Sequence, residues 1–351
     1  MNRIVAIGAG KTGGHLFPAI RIEETLAAQG FTALYFTEGV SLEKEILIKN
    51  GKRFMKILCR KFPSADLKQI AEFFFYNMAG LLQCLAKMAV LRPAFTFITG
   101  GYASFPLGLA SILTGIPLFT YDGNVNPGKV NRLLAFAARM NYGPKRTSAK
   151  RFVETGSPVR NGFRTEEFFF PVNKNVLVTG GSQGSAVILD AVLGMIKARA
   201  DYFKSEGISF HIATGMDKTV YIEKFAEFGF VKAVPFIHDM PAALKESAIV
   251  ISRAGAMSME ENMAASRYAV YIPFSHAAQN HQYYNAVEAG KLGAGTVITE
   301  DLLDPGTLFT AVSGMLGDMS ALRDISKSMR SMYEKRHAVD IAGDMLRRVG
   351  L

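Results

Sequence analysis

The chain has 351 residues, enough for two ordinary domains, and 49% hydrophobic against 20% charged residues excludes wholesale disorder. Its two cysteines, Cys59 and Cys84, exclude a disulfide framework and a Cys-rich zinc site, and point to a reducing compartment. The formal net charge of +10 is uneven: residues 1–160 hold 21 Lys and Arg against 9 Asp and Glu, and residues 161–351 hold 19 against 21. Such an excess suits nucleic acid, an anionic membrane or phosphorylated ligands. Its confinement to the first part means that the two parts do different work.

The N-terminus, Met1-Asn2-Arg3-Ile4-Val5-Ala6-Ile7-Gly8-Ala9-Gly10, is a short apolar run that meets glycine at once. It lacks the longer apolar core and cleavage site of a signal peptide, so it reads as a buried first strand of a cytoplasmic protein. Strands are predicted over residues 3–7, 33–36, 95–99 and 118–120, and helices over 15–29, 42–50, 67–91, 105–114 and 128–140. The pattern then restarts: strands over 175–179, 209–213, 231–235, 249–252 and 269–272 alternate with helices over 186–200, 218–228, 240–246 and 258–265. A helical stretch over 322–351 closes the chain. Alternating strand and helix implies parallel, doubly wound sheets. Two such series imply an α/β protein of two Rossmann-like domains, joined near Gly156-Ser157-Pro158.

Residues 70–91 are the most apolar stretch, with Phe73, Phe74, Phe75, Tyr76, Met78, Leu81, Leu82, Leu85 and Met88 interrupted by Glu72, Asn77, Gln83 and Lys87. This interruption makes a poor transmembrane helix. The apolar density nevertheless exceeds what one core-facing stripe needs. Two readings stand: a helix packed on a sheet, or a helix with part of its apolar face left for a membrane surface. Lys52, Arg53, Lys56, Arg60, Lys61, Lys68, Lys87 and Arg92 surround it in sequence. Apolar insertion with a basic rim is how a peripheral protein holds an anionic bilayer.

Two glycine loops follow strands and open helices: Gly8-Ala9-Gly10-Lys11-Thr12-Gly13-Gly14-His15 and Gly180-Gly181-Ser182-Gln183-Gly184-Ser185. A helix N-terminus offers N–H groups and a positive dipole end to phosphate, and glycine lets the backbone come close to it. The alternative is a tight turn without a ligand. The first loop matches a dinucleotide fingerprint, but Glu38 is a mediocre ribose partner; the spacing does not make a Walker A motif.

Thr12-Gly13-Gly14-His15-Leu16-Phe17-Pro18-Ala19 resembles the first glycine motif of the MurG family, which transfers N-acetylglucosamine from UDP-N-acetylglucosamine to undecaprenyl-pyrophosphoryl-N-acetylmuramoyl pentapeptide in peptidoglycan synthesis. Further blocks resemble the family in order. They are Thr99-Gly100-Gly101-Tyr102-Ala103-Ser104-Phe105-Pro106; Asn124, Pro127-Gly128 and Asn131-Arg132-Leu133-Leu134-Ala135; and Gly156-Ser157-Pro158-Val159-Arg160. Gly180–Gly184 follows, then Ser252-Arg253-Ala254-Gly255-Ala256-Met257-Ser258 with Glu261, and last Pro273-Phe274 with His281-Gln282-Tyr283-Tyr284-Asn285-Ala286.

The resemblance implies the GT-B fold, two Rossmann-like domains facing a central cleft. Residues 1–159 would bind acceptor and membrane, residues 160–332 the donor, and a helix over about 333–351 would pack back on the first domain. It implies donor contacts from Thr12, Gly13, Gly14, Asn124, Arg160, Ser182, Gln183, Ile237, Ala256, Met257, Glu261 and Gln282. Among these, Glu261 would accept from the ribose hydroxyls, while Ser182 and Arg160 would hold the diphosphate. Lys11, His15, Gly100, Gly101 and Tyr102 would meet the acceptor. His15 is the candidate base, since the acceptor hydroxyl must lose a proton and imidazole titrates near neutrality. Orienting the loop or binding the acceptor pyrophosphate is its other reading. Arg253 is a further phosphate candidate or a structural ion pair, and Glu260 reads as a solvent-facing neighbour of Glu261. No Asp-x-Asp pair occurs in the sequence, which fits a metal-independent reaction without a cofactor.

The sequence also departs from the family. Where His-Glu-Gln-Asn is usual, it has Tyr121-Asp122-Gly123-Asn124, so Asp122 is the local substitute for the family's Glu; Lys11 stands where glycine is usual. Both changes bear on the acceptor. A transferase with another lipid acceptor, a nicotinamide oxidoreductase and a nonenzymatic nucleotide-sugar binder therefore stand as alternatives. The charge asymmetry now points to a lipid pyrophosphate and the cytoplasmic face of a bacterial inner membrane, and away from nucleic acid.

Overall fold

The computed structural model describes residues 3–10, 13–63, 66–145, 150–160, 162–181 and 183–351. Lys11, Thr12 and Ser182, three of the expected site residues, lie outside the described residues. The chain forms two compact units, Met1–Pro158 with Arg336–Leu351, and Val159–Lys335.

The first unit runs β1 (Ile4–Ala9), α1 (Gly13–Ala28), β2 (Thr32–Thr37), α2 (Ser41–Lys49), β3 (Phe54–Lys56), α3 (Leu67–Leu91), β4 (Phe95–Gly100), α4 (Ser104–Thr114), β5 (Leu118–Tyr121), α5 (Lys129–Leu134), β6 (Met140–Gly143) and β7 (Phe152–Glu154). Its sheet has the order β3-β2-β1-β4-β5-β6-β7, with every pair parallel. Successive residues of a strand point to opposite faces, and a parallel sheet is covered on both. Val5 and Ile7 accordingly join one apolar cluster with Leu16, Ala19 and Ile20 of α1. Ala6 and Ile98 join another with Leu81, Cys84, Leu107 and Leu134.

The second unit runs β8 (Lys174–Thr179), α6 (Ala186–Ser205), β9 (Ile208–Ala213), α7 (Val220–Phe225), β10 (Val231–Val234), α8 (Met240–Glu246), β11 (Ile249–Ser252), α9 (Ala256–Ala264), β12 (Tyr268–Tyr271), α10 (His281–Lys291), β13 (Gly295–Val297), α11 (Pro305–Gly317) and α12 (Met319–Arg336). Its all-parallel sheet has the order β10-β9-β8-β11-β12-β13. The chain then re-enters the first unit as α13 (Ile341–Val349), which packs on α1. There the Tyr142 hydroxyl donates to Asp344 Oδ2 at 2.7 Å and Arg348 Nε donates to the same oxygen at 2.6 Å. Burial alone would raise the Asp344 carboxyl; these two partners outweigh it and hold the group below the usual carboxylate range.

Two expectations change. The helix predicted over 128–140 ends at Leu134, and Met140 opens a strand. Asn141 explains the break: its Nδ2 donates to Ala135 O at 3.1 Å and Arg151 O at 2.8 Å, and its Oδ1 accepts from Thr120 at 2.5 Å. These bonds tie the start of β6 to β5 and to the segment before β7. The closing helical stretch is two helices, α12 and α13, each with its own role.

α3 starts at Asp66, whose side chain accepts from Lys68 N at 3.1 Å, and stops at Arg92, left-handed at φ 46°, just before Pro93. One face buries Phe73, Asn77, Gly80, Leu81, Cys84 and Met88. Gly80 packs against the Leu58 carbonyl, where a Cβ would collide. The opposite face leaves Leu67, Phe74, Phe75, Met78, Leu82 and Val90 exposed. The helix is long and apolar enough to cross a membrane by length and composition alone, but one face is packed on a core. Neither a purely core-facing helix nor a fully apolar one describes it.

Candidate functional site

In open parallel sheets, ligands bind beyond the carboxyl ends of the strands, where the strand order reverses. That point lies between β1 and β4 in the first unit and between β8 and β11 in the second. Most of the expected residues that are described follow the ends of these strands.

In the first unit, Gly13, Gly14 and His15 form the opening turn of α1, Gly100 ends β4, and Gly101 and Tyr102 follow it. The two loops touch backbone to backbone. Gly101, at φ +89°, lies so close to Gly10 that a Cβ would sit 2.9 Å from its N and O. Ser104 ties the loops by donating to Gly100 O at 2.7 Å and close to Gly8 O at 3.0 Å. Gly100, at φ +114°, leaves room for the His15 ring, which a Cβ would meet at 2.7 Å. His15 Nδ1 lies 2.8 Å from Thr99 O. A carbonyl only accepts, so Nδ1 carries a hydrogen, and in the neutral ring the lone pair is then on Nε2. Thr99 Oγ1 returns a bond to His15 O at 2.8 Å, so the residue is held at both ends. Sequence reasoning missed Thr99 and Ser104 as the groups that fix this geometry.

Asp122, at the end of β5, is 5% exposed. Its Oδ1 accepts from Asn124 N and Nδ2, both at 3.0 Å; its Oδ2 accepts from Gly128 N at 2.9 Å and Asn131 Nδ2 at 2.8 Å. Four donors occupy this carboxylate. It organises the loop that carries Asn124, which is a different task from proton transfer.

In the second unit, Gly184, at φ +66°, abuts the Thr214 carbonyl where a Cβ would collide. The Gln183 carbonyl accepts from Lys218 Nζ at 2.7 Å. On the neighbouring strand, Gly255 precedes α9 with no side-chain cap, so the N–H groups at Ala256 and Met257 form an uncapped positive helix end. Arg253 links the two loops by donating to Ser185 Oγ at 2.7 Å, and pairs with Glu300 at 2.6 Å. Of its two readings, the structural ion pair is the one that the geometry shows. Gln282 opens α10 and accepts from Phe274 N at 3.0 Å. Ile237, 7% exposed, lies beyond β10, two strands from β8.

Glu260 is not the solvent-facing neighbour that was expected. Glu260 is 4% exposed and belongs to the interior, because its place on α9 faces β12 and Tyr271. Glu261 lies at the rim, its side chain 15% exposed, with Oε1 3.3 Å from Arg160 Nη2. Burial raises the Glu261 carboxyl, and the Arg160 guanidinium pulls it back down in part. Arg160 is half exposed and lies over the Phe163 ring at 5.3 Å. Glu261 Oε2 has no hydrogen-bond partner among the described residues. Among the described residues no group of three or more metal-ligating side chains occurs.

The glycosyltransferase family 28 N-terminal domain matches residues 4–142 and its C-terminal domain matches residues 175–341. With two Rossmann-like parallel sheets, this defines a GT-B glycosyltransferase. Its relatives include the UDP-N-acetylglucosamine–N-acetylmuramyl-(pentapeptide) pyrophosphoryl-undecaprenol N-acetylglucosamine transferase of Clostridioides difficile, 32% identical over 98% of this chain and 88% of that one. The enzyme of the same name from Syntrophotalea carbinolica is 31% identical over 93% of each. The chain belongs to this family, the MurG family. The crystal structure of Acinetobacter baumannii MurG shares the fold with a TM-score of 0.79 at 21% identity over 99% of each chain. The calicheamicin glycosyltransferase CalG4 shares it at 0.72 and 17% identity, over 100% of this chain and 99% of that one.

Proposed function

We propose that this protein transfers N-acetylglucosamine from UDP-N-acetylglucosamine to undecaprenyl-pyrophosphoryl-N-acetylmuramoyl pentapeptide, with inversion at the anomeric carbon. The observation that carries the donor half is in the second unit: a rim carboxylate, Glu261, with an open oxygen, on the helix whose uncapped N-terminus follows β11. A ribose supplies hydroxyl donors to the first, and a diphosphate suits the second. Gln183, Gln282 and Ile237, with Ser182, complete the donor set on this unit; Gly13, Gly14 and Asn124, with Thr12, contribute from the first.

In the reaction an acceptor hydroxyl attacks the anomeric carbon, its oxygen forms the new glycosidic bond, and the bond to UDP breaks. His15 Nε2 takes the hydroxyl proton, since Nδ1–H is committed to Thr99 O. UDP leaves with the electron pair, and the α9 N-terminus and Arg160 stabilise its charge. Asp122 acts by holding Asn124. Gly100, Gly101 and Tyr102, with Lys11, receive the acceptor pyrophosphate.

The protein works as a peripheral protein on the cytoplasmic face of the bacterial membrane. The apolar face of α3 and the cationic excess of residues 1–160 support this reading. The loop Tyr121-Asp122-Gly123-Asn124 favours a second reading, a different lipid acceptor for the same donor. The deciding experiment is transfer of labelled N-acetylglucosamine to purified lipid-linked muramoyl pentapeptide. Donor binding without transfer to that lipid would remove the first reading, and transfer to another lipid-linked sugar would establish the second.

A further inference from the structure

We infer that Arg160 is a positioning residue for the nucleotide's sugar: it fixes the Glu261 carboxylate so that both ribose hydroxyls are read, and thereby sets a preference for ribonucleotides over 2′-deoxyribonucleotides. This rests on the donor site proposed above. It assigns to Arg160 a task beyond contact with the diphosphate.

Three observations carry it. The Glu261 side chain is only 15% exposed, and its Oε1 is held by Arg160 Nη2 at 3.3 Å. Its Oε2 has no hydrogen-bond partner among the described residues, so one oxygen is anchored and the other is open. The guanidinium is itself braced, lying 5.3 Å from the centre of the Phe163 ring, and Phe163 is a core residue at 2% exposure. Arg160 thus ties an open acceptor on α9 to the hydrophobic core of the second unit.

The chemistry follows from the acceptor count. The two neighbouring hydroxyls of a ribose offer two O–H donors on one edge, and only an ionised carboxylate presents acceptors alone. A carboxyl desolvated to this degree and left without a countercharge shifts toward its protonated form, in which one oxygen becomes a donor. The Arg160 guanidinium opposes that shift and fixes the rotamer. A site built to pair with a hydroxyl discriminates against the analogue that lacks it, because a buried acceptor is then left unmatched.

The test compares Kd for UDP and for 2′-deoxy-UDP by calorimetry in the full chain and in the variants Arg160→Met, Arg160→Lys and Glu261→Gln. Both probes carry the same diphosphate, so their ratio isolates the 2′-hydroxyl. The wild-type chain should prefer UDP by about tenfold, equivalent to about 1.4 kcal/mol. Arg160→Met should bring the ratio to within about twofold of unity, Glu261→Gln should do the same, and Arg160→Lys, which keeps the charge but loses the planar group over Phe163, should retain part of it. Equal weakening of both nucleotides by Arg160→Met, with the ratio intact, would make Arg160 a phosphate contact only and overturn the inference. A wild-type chain that binds both nucleotides equally would overturn it too. If the wild-type chain bound neither, the donor site itself would fall, and this inference with it.

Discussion

Replacing Asp122 by Asn keeps the size of the side chain and exchanges one acceptor oxygen for a donor nitrogen. In one orientation the new amide nitrogen faces Gly128 N and Asn131 Nδ2, now 2.9 and 2.8 Å from Oδ2; in the other it faces the two Asn124 nitrogens, both 3.0 Å from Oδ1. Either way two bonds are lost and donors confront a donor inside a residue that is 5% exposed. A buried polar group left unpaired costs about 1–3 kcal/mol, so two such losses amount to about 3 kcal/mol. With a urea slope of about 2 kcal/mol per molar, the midpoint of the first unit should fall by about 1.5 M. Urea unfolding of the full chain followed by circular dichroism measures this. Transfer activity should fall with it, as the Asn124 loop loosens. A stability change under about 0.5 kcal/mol, the range of ordinary surface substitutions, would refute the reasoning and make the four bonds incidental.

Three other outcomes are expected. His15→Ala should lower kcat for transfer by about 10²–10⁴-fold, the usual range for a general base, while the affinity for UDP stays within about twofold. Unchanged kcat would remove His15 from the proton transfer. The pair Phe74→Ser and Phe75→Ser changes two rings that are 64% and 70% exposed, so the core should keep its stability. At about 25 cal/mol per Å² and roughly 100 Å² of each ring inserted, binding to phosphatidylglycerol vesicles should weaken by about 5 kcal/mol at most. Cosedimentation with vesicles decides it, and unaltered binding would place the lipid contact elsewhere. Asp344 titrates lower in the folded chain than its ordinary value. Its support for α13 is therefore full above about pH 4 and fades as pH falls through the depressed folded value. Asp344→Asn should narrow the difference in Tm between pH 7 and pH 3, and an equal difference in both proteins would contradict that linkage.

The legible parts of the fold were those with long periodic signals. α3 could be read to its ends because Asp66 caps it and Pro93 forbids its continuation. The strands flanking each glycine loop were legible because apolar runs meet glycine. β3, β7 and β13 have three residues each, too few for any period to show. The overlong helix over 128–140 arose because Leu133, Leu134, Phe136 and Met140 mimic helical spacing, while Asn141 acts through partners distant in sequence. At the site, the family resemblance singled out Glu261, but the sequence could not tell which of two adjacent carboxylates faces the interior. That depends on the rotation of α9 against β12. The bond from His15 Nδ1 to Thr99 O was invisible for a similar reason: a main-chain carbonyl has no signature in the sequence.

The first unit is discontinuous in the chain, with its last helix separated from β7 by the whole of the second unit. On a ribosome adding about 5–20 residues per second, α13 emerges on the order of ten to forty seconds after β7. Through that interval the surface of α1 that receives Ile341, Ala342 and Met345 is uncovered. The second unit, by contrast, is contiguous and can finish while its neighbour waits. The exposed α3 face is therefore made early, and the half of the protein that carries it is completed last. Loss of the final helix by truncation would leave a nascent chain with a finished second unit and an open first unit, a natural substrate for chaperones and proteases.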